Sequence, residues 1–157
     1  MPQTLEPLLG SHPFFARLTS PYLALVVGCA ANVLFDDGEF LFREGTRSDV
    51  FFLLRDGGLA LEVAAPSGTG ALTVQTLGPG DIAGFSWLIE PHVWRFDGRA
   101  VGQVRAVELD GAYLRNKCEE DPRLGYELMR AFAALASTRL QATRLQMLDM
   151  CGHAHTR

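Results

Sequence analysis

The sequence predicts a mainly β protein with flanking helices, closed by one long C-terminal helix. Three observations carry this. Between Asn32 and about Leu109, short apolar runs alternate with glycine-bearing turns at spacings of roughly 8–12 residues, the rhythm of an antiparallel sandwich or barrel. Ahead of that region stands a Ser-Pro helix start. Beyond it the turn signals stop, and from Pro122 to about Met150 the chain has no internal proline.

The elements follow in order. Residues 1–13 hold Pro2, Pro7, Gly10 and Pro13 and read as an irregular lead-in with at most one helical turn. Ser20 is a good N-cap and Pro21 suits the first helical position, so a helix is expected from there to about Ala31. Turns are expected at Asp36-Asp37-Gly38, Glu44-Gly45-Thr46, Asp56-Gly57-Gly58, Pro66 through Gly70, and Gly78-Pro79-Gly80-Asp81. The candidate strands between and after them are Phe40–Arg43, Val50–Arg55, Leu59–Ala64, Leu72–Leu77 and Val101–Leu109. Leu59, Leu61 and Val63 alternate with Ala60 and Glu62, which predicts one wet face for that strand. Asp110 to Cys118 suits a short helix. Asp121 and Pro122 then fit the cap and first position of the long one. The expected organisation is a β domain with N-terminal helices over 1–120, a helix over 121–150 and a tail over 151–157.

Composition narrows the function. A chain of 157 residues suits one domain and needs no disulfide or metal staple, since such a domain buries roughly two-thirds of its unfolded surface. The net charge is −4 and the only lysine is Lys117, which argues against a general nucleic-acid surface. Cysteines are three, widely spaced and odd in number, the pattern of free thiols in a reducing compartment. The apolar run from Tyr22 to Phe35 falls short of the ~20 residues that span a bilayer, and no basic leader segment opens the chain. A cytoplasmic protein without membrane contact is expected.

The long helix carries a partner surface. At 1.5 Å per residue it would reach about 43 Å, too long to bury along a small β domain. Leu124, Leu128, Phe132 and Leu135 form a stripe that can pack on that domain. Leu140, Thr143, Met147 and Met150 form a second stripe, at spacings of 3 and 4, that projects and needs a partner. A parallel two-fold dimer is expected there, with Arg139, Arg144 and Asp149 at its flanks.

The middle of the chain resembles the cyclic nucleotide-binding domain of the Crp–Fnr type. The residues that carry the resemblance are Asp37-Gly38-Glu39-Phe40-Leu41-Phe42-Arg43-Glu44-Gly45, Asp49 through Gly57, the turn Leu77-Gly78-Pro79-Gly80-Asp81, and Val104-Arg105-Ala106. Near the start, Phe14 through Pro21 is similar to the family's opening helix and its cap. The resemblance covers about residues 13–150 and implies a double-stranded β-helix of jelly-roll type that acts as a sensor. Transcription factors of the family carry a winged helix-turn-helix after the long helix. Only Cys151 to Arg157 follow it here, so direct sequence-specific DNA binding is not expected.

The family's phosphate cassette implies a ligand site and also puts the usual ligand in question. In the family a Gly-Glu pair and an Arg hold the ribose and the cyclic phosphate. Aligned on Gly80-Asp81, this chain has Gly84-Phe85. Aligned on Val104-Arg105-Ala106, the Arg and Ser/Thr positions become Ala100 and Val101. The segment between is longer than the family's and holds Glu90, Pro91, His92, Val93, Trp94, Arg95 and Phe96. Candidate ligand-binding residues are Gly84, Phe85, Ser86, Trp87, Trp94, Arg95, Arg99, Ala100 and Val101. Strand parity with Val104 and Ala106 points Arg99 away from the pocket, unless a bulge near Gly98 or Gly102 turns it inward. The four rings of Phe85, Trp87, Trp94 and Phe96 either line a pocket for a flat or apolar ligand or fill it themselves.

Other constellations are weak. Cys151, His153 and His155 lack the second pair of ligands a structural zinc site needs, so no metal is expected. No nucleophile motif or P-loop is present, so no enzyme is expected. The sequence thus reads as a dimeric, non-enzymatic sensor domain that regulates a protein partner, with no certain cofactor. Its phosphate cassette reads as degenerate, and any ligand is expected to be a non-standard small molecule; the alternatives are a cyclic nucleotide held through Arg99, or a ligand-free interaction module.

Overall fold

Two strands in this protein are apolar on both faces, and they organise the rest. The computed structural model describes residues 5–155, with side chains through Asp149. In chain order the elements are α1 (Leu5–Ser11), α2 (Ser20–Gly28), β1 (Ala30–Phe35), β2 (Phe40–Phe42), β3 (Val50–Ala64), β4 (Ala71–Leu77), β5 (Ile82–Ala83), β6 (Asp97–Asp110), α3 (Gly111–Glu120) and α4 (Pro122–His155). The sheet is antiparallel with order β1-β6-β3-β4; β2 also pairs with β6, and β5 with β3. The expected jelly-roll-like β fold with a long C-terminal helix is the fold observed.

Period-two alternation sorts β3 and β6 between two cores. Phe51 and Leu53 of β3, with Val107 and Leu109 of β6, pack with Leu9, Phe15, Leu114, Leu124, Leu128 and Phe132 from the helical side. Phe52 and Leu54, with Ala100, Val104 and Ala106, join Phe42, Leu59, Leu61, Leu77 and Trp94 inside the roll. Because both faces are covered, residues 51–54 read as one apolar run.

Four expectations need correction. The lead-in holds α1, a helix of 7 residues and so about two turns, where at most one turn is expected from the sequence. Asp56-Gly57-Gly58 is not a turn between two strands. β3 continues through it with register shifts against β6 at Leu54/Asp56 and Asp56/Gly58. Gly57 takes φ +82° there, and a Cβ would lie 2.3 Å from the Gln103 carbonyl oxygen. The helix from Ser20 ends at Gly28, three residues early, because Ala30 and Ala31 pair with Leu109 and Glu108 as the start of β1. Its cap is Thr19, with no side-chain hydrogen bond. The supposed wet face of residues 59–63 is covered: Ala60 is 4% and Glu62 6% exposed.

The long helix starts where expected. Asp121 Oδ1 accepts from the Arg123 amide at 3.1 Å, and the Asp121 carbonyl from the Gly125 amide at 3.2 Å. Leu124 and Leu128 are fully buried and Phe132 nearly so. Past that point the large apolar residues Leu140, Leu145, Met147 and Leu148 are exposed.

The bulge glycine gives a direct test. Gly57→Ala is expected to lose about 2–3 kcal/mol in urea denaturation, from a forced positive φ and the clash with Gln103. Gly58→Ala, whose nearest neighbours would lie 3.7 Å away, should lose far less. Equal losses would refute the bulge as the source.

Candidate functional site

A cavity of about 350 Å³ lies between the roll and α4. Its floor is Phe42, Leu61 and Gln75 from β2, β3 and β4. One wall is Gly84-Phe85-Ser86 with Ile89, and a second is Trp94-Arg95-Phe96. Its lid is Ala136, Arg139, Leu140 and Thr143 of α4. Those four helix positions are spaced i, i+3, i+4 and i+7, so they share one face.

The extra loop is built, not loose. The Trp94 amide donates to the Thr46 carbonyl at 2.9 Å, and the Gly45 amide to the Trp94 carbonyl at 2.9 Å. The Ser48 amide donates to the His92 carbonyl at 2.7 Å. These bonds turn Trp94 into the roll, where it is 4% exposed and stacks on Phe42 with centroids 3.8 Å apart and planes 6° apart. Gly84 permits this. It adopts φ +113°, and a Cβ there would lie 2.9 Å from the tip of the Trp94 ring. Gly98 does the same for Phe42, whose ring atoms would be 2.5–2.8 Å from a Cβ. The residues after Gly84 form a turn, with the Leu88 and Ile89 amides donating to the Phe85 and Ser86 carbonyls.

Of the residues singled out from sequence, Gly84, Phe85, Ser86, Trp94 and Arg95 line the cavity. Trp87 does not. It is fully buried on the helical side, stacked on Phe51 at 4.8 Å, with its indole Nε1 lacking a partner among the described residues. Arg99 is not a pocket group either: it gives two hydrogen bonds of 3.0 Å to the two oxygens of Glu62. No bulge turns it inward, and the parity argument describes it. Ala100 is buried in the core of the roll, whereas Val101 is 46% exposed. Leu140 and Thr143, expected on a partner-facing stripe, line the cavity; Met147 is exposed, and the Met150 side chain lies outside the described residues.

Sequence reading placed Arg139 only at the flank of a stripe, and here it is a cavity residue. Its guanidinium donates to the Ile82 carbonyl and lies 4.9 Å above the Phe85 ring centroid. Burial pulls its pKa down from the ordinary arginine value, partly offset by Asp81. The available signal was its three-residue spacing from Ala136 and four from Thr143.

Chemistry elsewhere is sparse. Burial pushes the Cys29 and Cys118 thiols up to about 11, so both stay protonated and poorly nucleophilic at neutral pH. Among the described residues no group of three His, Cys, Asp or Glu side chains is placed to hold a metal ion. The side chains of Cys151, His153 and His155 lie outside the described residues. No described helix is long and apolar enough to cross a membrane.

Comparison with known proteins identifies the class. The model of the cyclic nucleotide-binding domain family matches residues 32–121, and the chain belongs to that family. A CRP-like cAMP-activated global transcriptional regulator of Mycobacterium tuberculosis is 27% identical over 146 residues. That match covers 93% of this chain and 63% of the regulator, so the chain spans under two-thirds of the length of that relative. A crystal structure from Geobacter metallireducens GS-15, described as a cyclic nucleotide-binding protein, superposes with a TM-score of 0.77 at 33% identity. It covers 88% of this chain and 97% of that one. The N-terminal domain of a transcriptional regulator from Streptomyces coelicolor A3(2) gives a TM-score of 0.65 at 26% identity, covering 89% and 94%.

The Arg99–Glu62 pair is a structural contact with a pH signature. The hydrogen bonds from Arg99 hold the Glu62 carboxyl below its ordinary value of 4.5. A depressed carboxylate stabilises the fold above that value and loses its contribution as pH falls below it. Glu62→Gln should therefore cost about 1 kcal/mol at pH 7, with Arg99 partly exposed, and the gap to the parent should shrink by pH 3. Urea denaturation at the two pH values checks this; a gap that does not change with pH refutes it.

Proposed function

We propose that this chain is a non-enzymatic regulatory domain, dimeric through α4, whose cavity takes a small ligand other than cAMP or cGMP. One observation carries the reading: a stacked tryptophan and phenylalanine occupy the interior of the roll, and no arginine reaches it from the cassette positions. Phe85, Ala100 and Val101 stand where the family resemblance puts the acid, the arginine and the hydroxyl residue. Arg99, the one rescue candidate on β6, is committed to Glu62. The cavity left between Trp94 and α4 sits at the small end of the ~300–1,000 Å³ range of ligand sites.

The dimer rests on exposure. Leu145, Met147 and Leu148 are each more than 60% exposed on a helix that has outrun the β domain. Leaving such side chains in water forgoes roughly 1.5–3 kcal/mol apiece, which a second copy of the helix recovers. The net charge of −4 favours a protein as the regulated partner over DNA. Trp94 also supports a second reading, a ligand-free interaction module in which the ring has replaced the ligand.

Titration calorimetry with cAMP and cGMP is expected to show no micromolar binding; such binding would overturn the main reading. Native mass spectrometry is expected to give a dimer with a co-purifying small molecule, whereas a dimer that never carries one supports the module. Leu145→Asp with Leu148→Asp should convert the dimer to a folded monomer. A dimer that survives this double change places the interface elsewhere.

A further inference from the structure

The charged residues that line the cavity are of one sign. Among its lining residues only Arg95 and Arg139 are ionised at neutral pH, and no carboxylate lines it, although the whole chain carries −4. Arg95 is exposed at the edge, and Arg139 is half-buried. Arg139 has no carboxylate within ion-pair distance among the described residues, and its hydrogen bond goes to a neutral carbonyl, that of Ile82. A guanidinium has five N–H donors in a planar fork, so one carbonyl leaves most of them unused. Beside it stands the face of Phe85, and Trp94 lines the same cavity. A cation with spare donors beside an aromatic face, in a cavity whose lining holds no carboxylate although Asp81 acts on it from outside, is built for an anionic group on a flat apolar body.

We propose that Arg139 of α4 is the anion-recognising residue of this cavity, and that its ligand class is a small aromatic anion such as a carboxylate or sulfonate. The anionic group takes the free donors of the guanidinium in a bidentate contact, which is strong where water is displaced. The ring lies against Trp94 and Phe85. Arg139 is a residue of the lid, not of the sheet, so ligand charge acts directly on the helix that carries the exposed stripe. The bound anion competes with the Ile82 carbonyl for the same fork, and the anchoring of α4 to β5 changes with occupancy.

This rests on the cavity being a ligand site, and a matched pair of dyes separates the two claims. The probes are 1-anilinonaphthalene-8-sulfonate and its uncharged counterpart N-phenyl-1-naphthylamine, titrated by fluorescence into the full chain. Both should bind the parent, and the sulfonate more tightly. Arg139→Gln should weaken the sulfonate at least tenfold and leave the neutral dye within twofold. Arg139→Lys should recover part of the loss. Unchanged binding of the neutral dye shows that Arg139→Gln is folded. Thr143→Trp, which fills the cavity from the lid, should abolish both. Equal loss of both dyes in Arg139→Gln, or no loss of either, overturns the assignment of Arg139 and leaves the cavity standing. If the parent binds neither dye, or Thr143→Trp binds both, the cavity itself is not the site and both claims fall.

Discussion

Two rings stacked inside the roll fix where the rest of the domain can go. Phe42 and Trp94 lie 3.8 Å apart and nearly parallel, and each needs a glycine: Gly98 under the first, Gly84 beside the second. Any side chain at either position would push a ring out of its place. The pairing of residues 45–48 with the 92–94 segment holds the tryptophan from outside. The loop that looks like an insertion is therefore the means of filling the roll. What remains unfilled is the strip between Trp94 and the long helix.

The same rings explain why two cores coexist in so small a sheet. β3 and β6 are shared by both cores, each sending alternate residues inward to the roll and outward to the helices. The outer core clamps α4 through Leu124, Leu128 and Phe132, and Phe132 meets Phe14, Phe51, Phe85 and Trp87 edge to face. Phe85 is the bridge, since it packs on Phe132 and also faces the cavity. A change at the cavity wall is thus one ring away from the packing that orients the helix.

Much of this was legible in the chain. Glycine turns at regular spacing announced the β fold, and Asp121-Pro122 announced the long helix. What failed did so for identifiable reasons. A glycine pair normally ends a strand, but Gly57 and Gly58 instead absorb register shifts within β3 while pairing continues on both sides. Glu62 reads as a solvent residue until Arg99 is seen across the sheet, because a buried carboxylate is tolerable only with its partner in place. At the site, the aromatic loop and Gly84-Phe85-Ser86 could be found from the cassette's alignment. The contribution of α4 could not, because a helix that is longer than its docking surface has two apolar faces. Spacing alone does not say whether Leu140 and Thr143 meet the roll or a partner.

That ambiguity bears on how such a domain can signal. Where an anion is held by an arginine on the sheet, the message must pass from the sheet to the helix by a shift in packing. Here Arg99 of the cassette strand is paired with Glu62 on the outer side, and no arginine of that strand lines the cavity. The half-buried cation stands on the helix, with a backbone carbonyl as its hydrogen-bond acceptor. A carbonyl is a weaker partner for a guanidinium than an anion would be, so the Arg139–Ile82 contact between α4 and β5 is one that an anion can outbid. On the proposed assignment of Arg139, binding acts on the helix without an intervening step through the sheet, and the charge of the ligand counts for more than its shape.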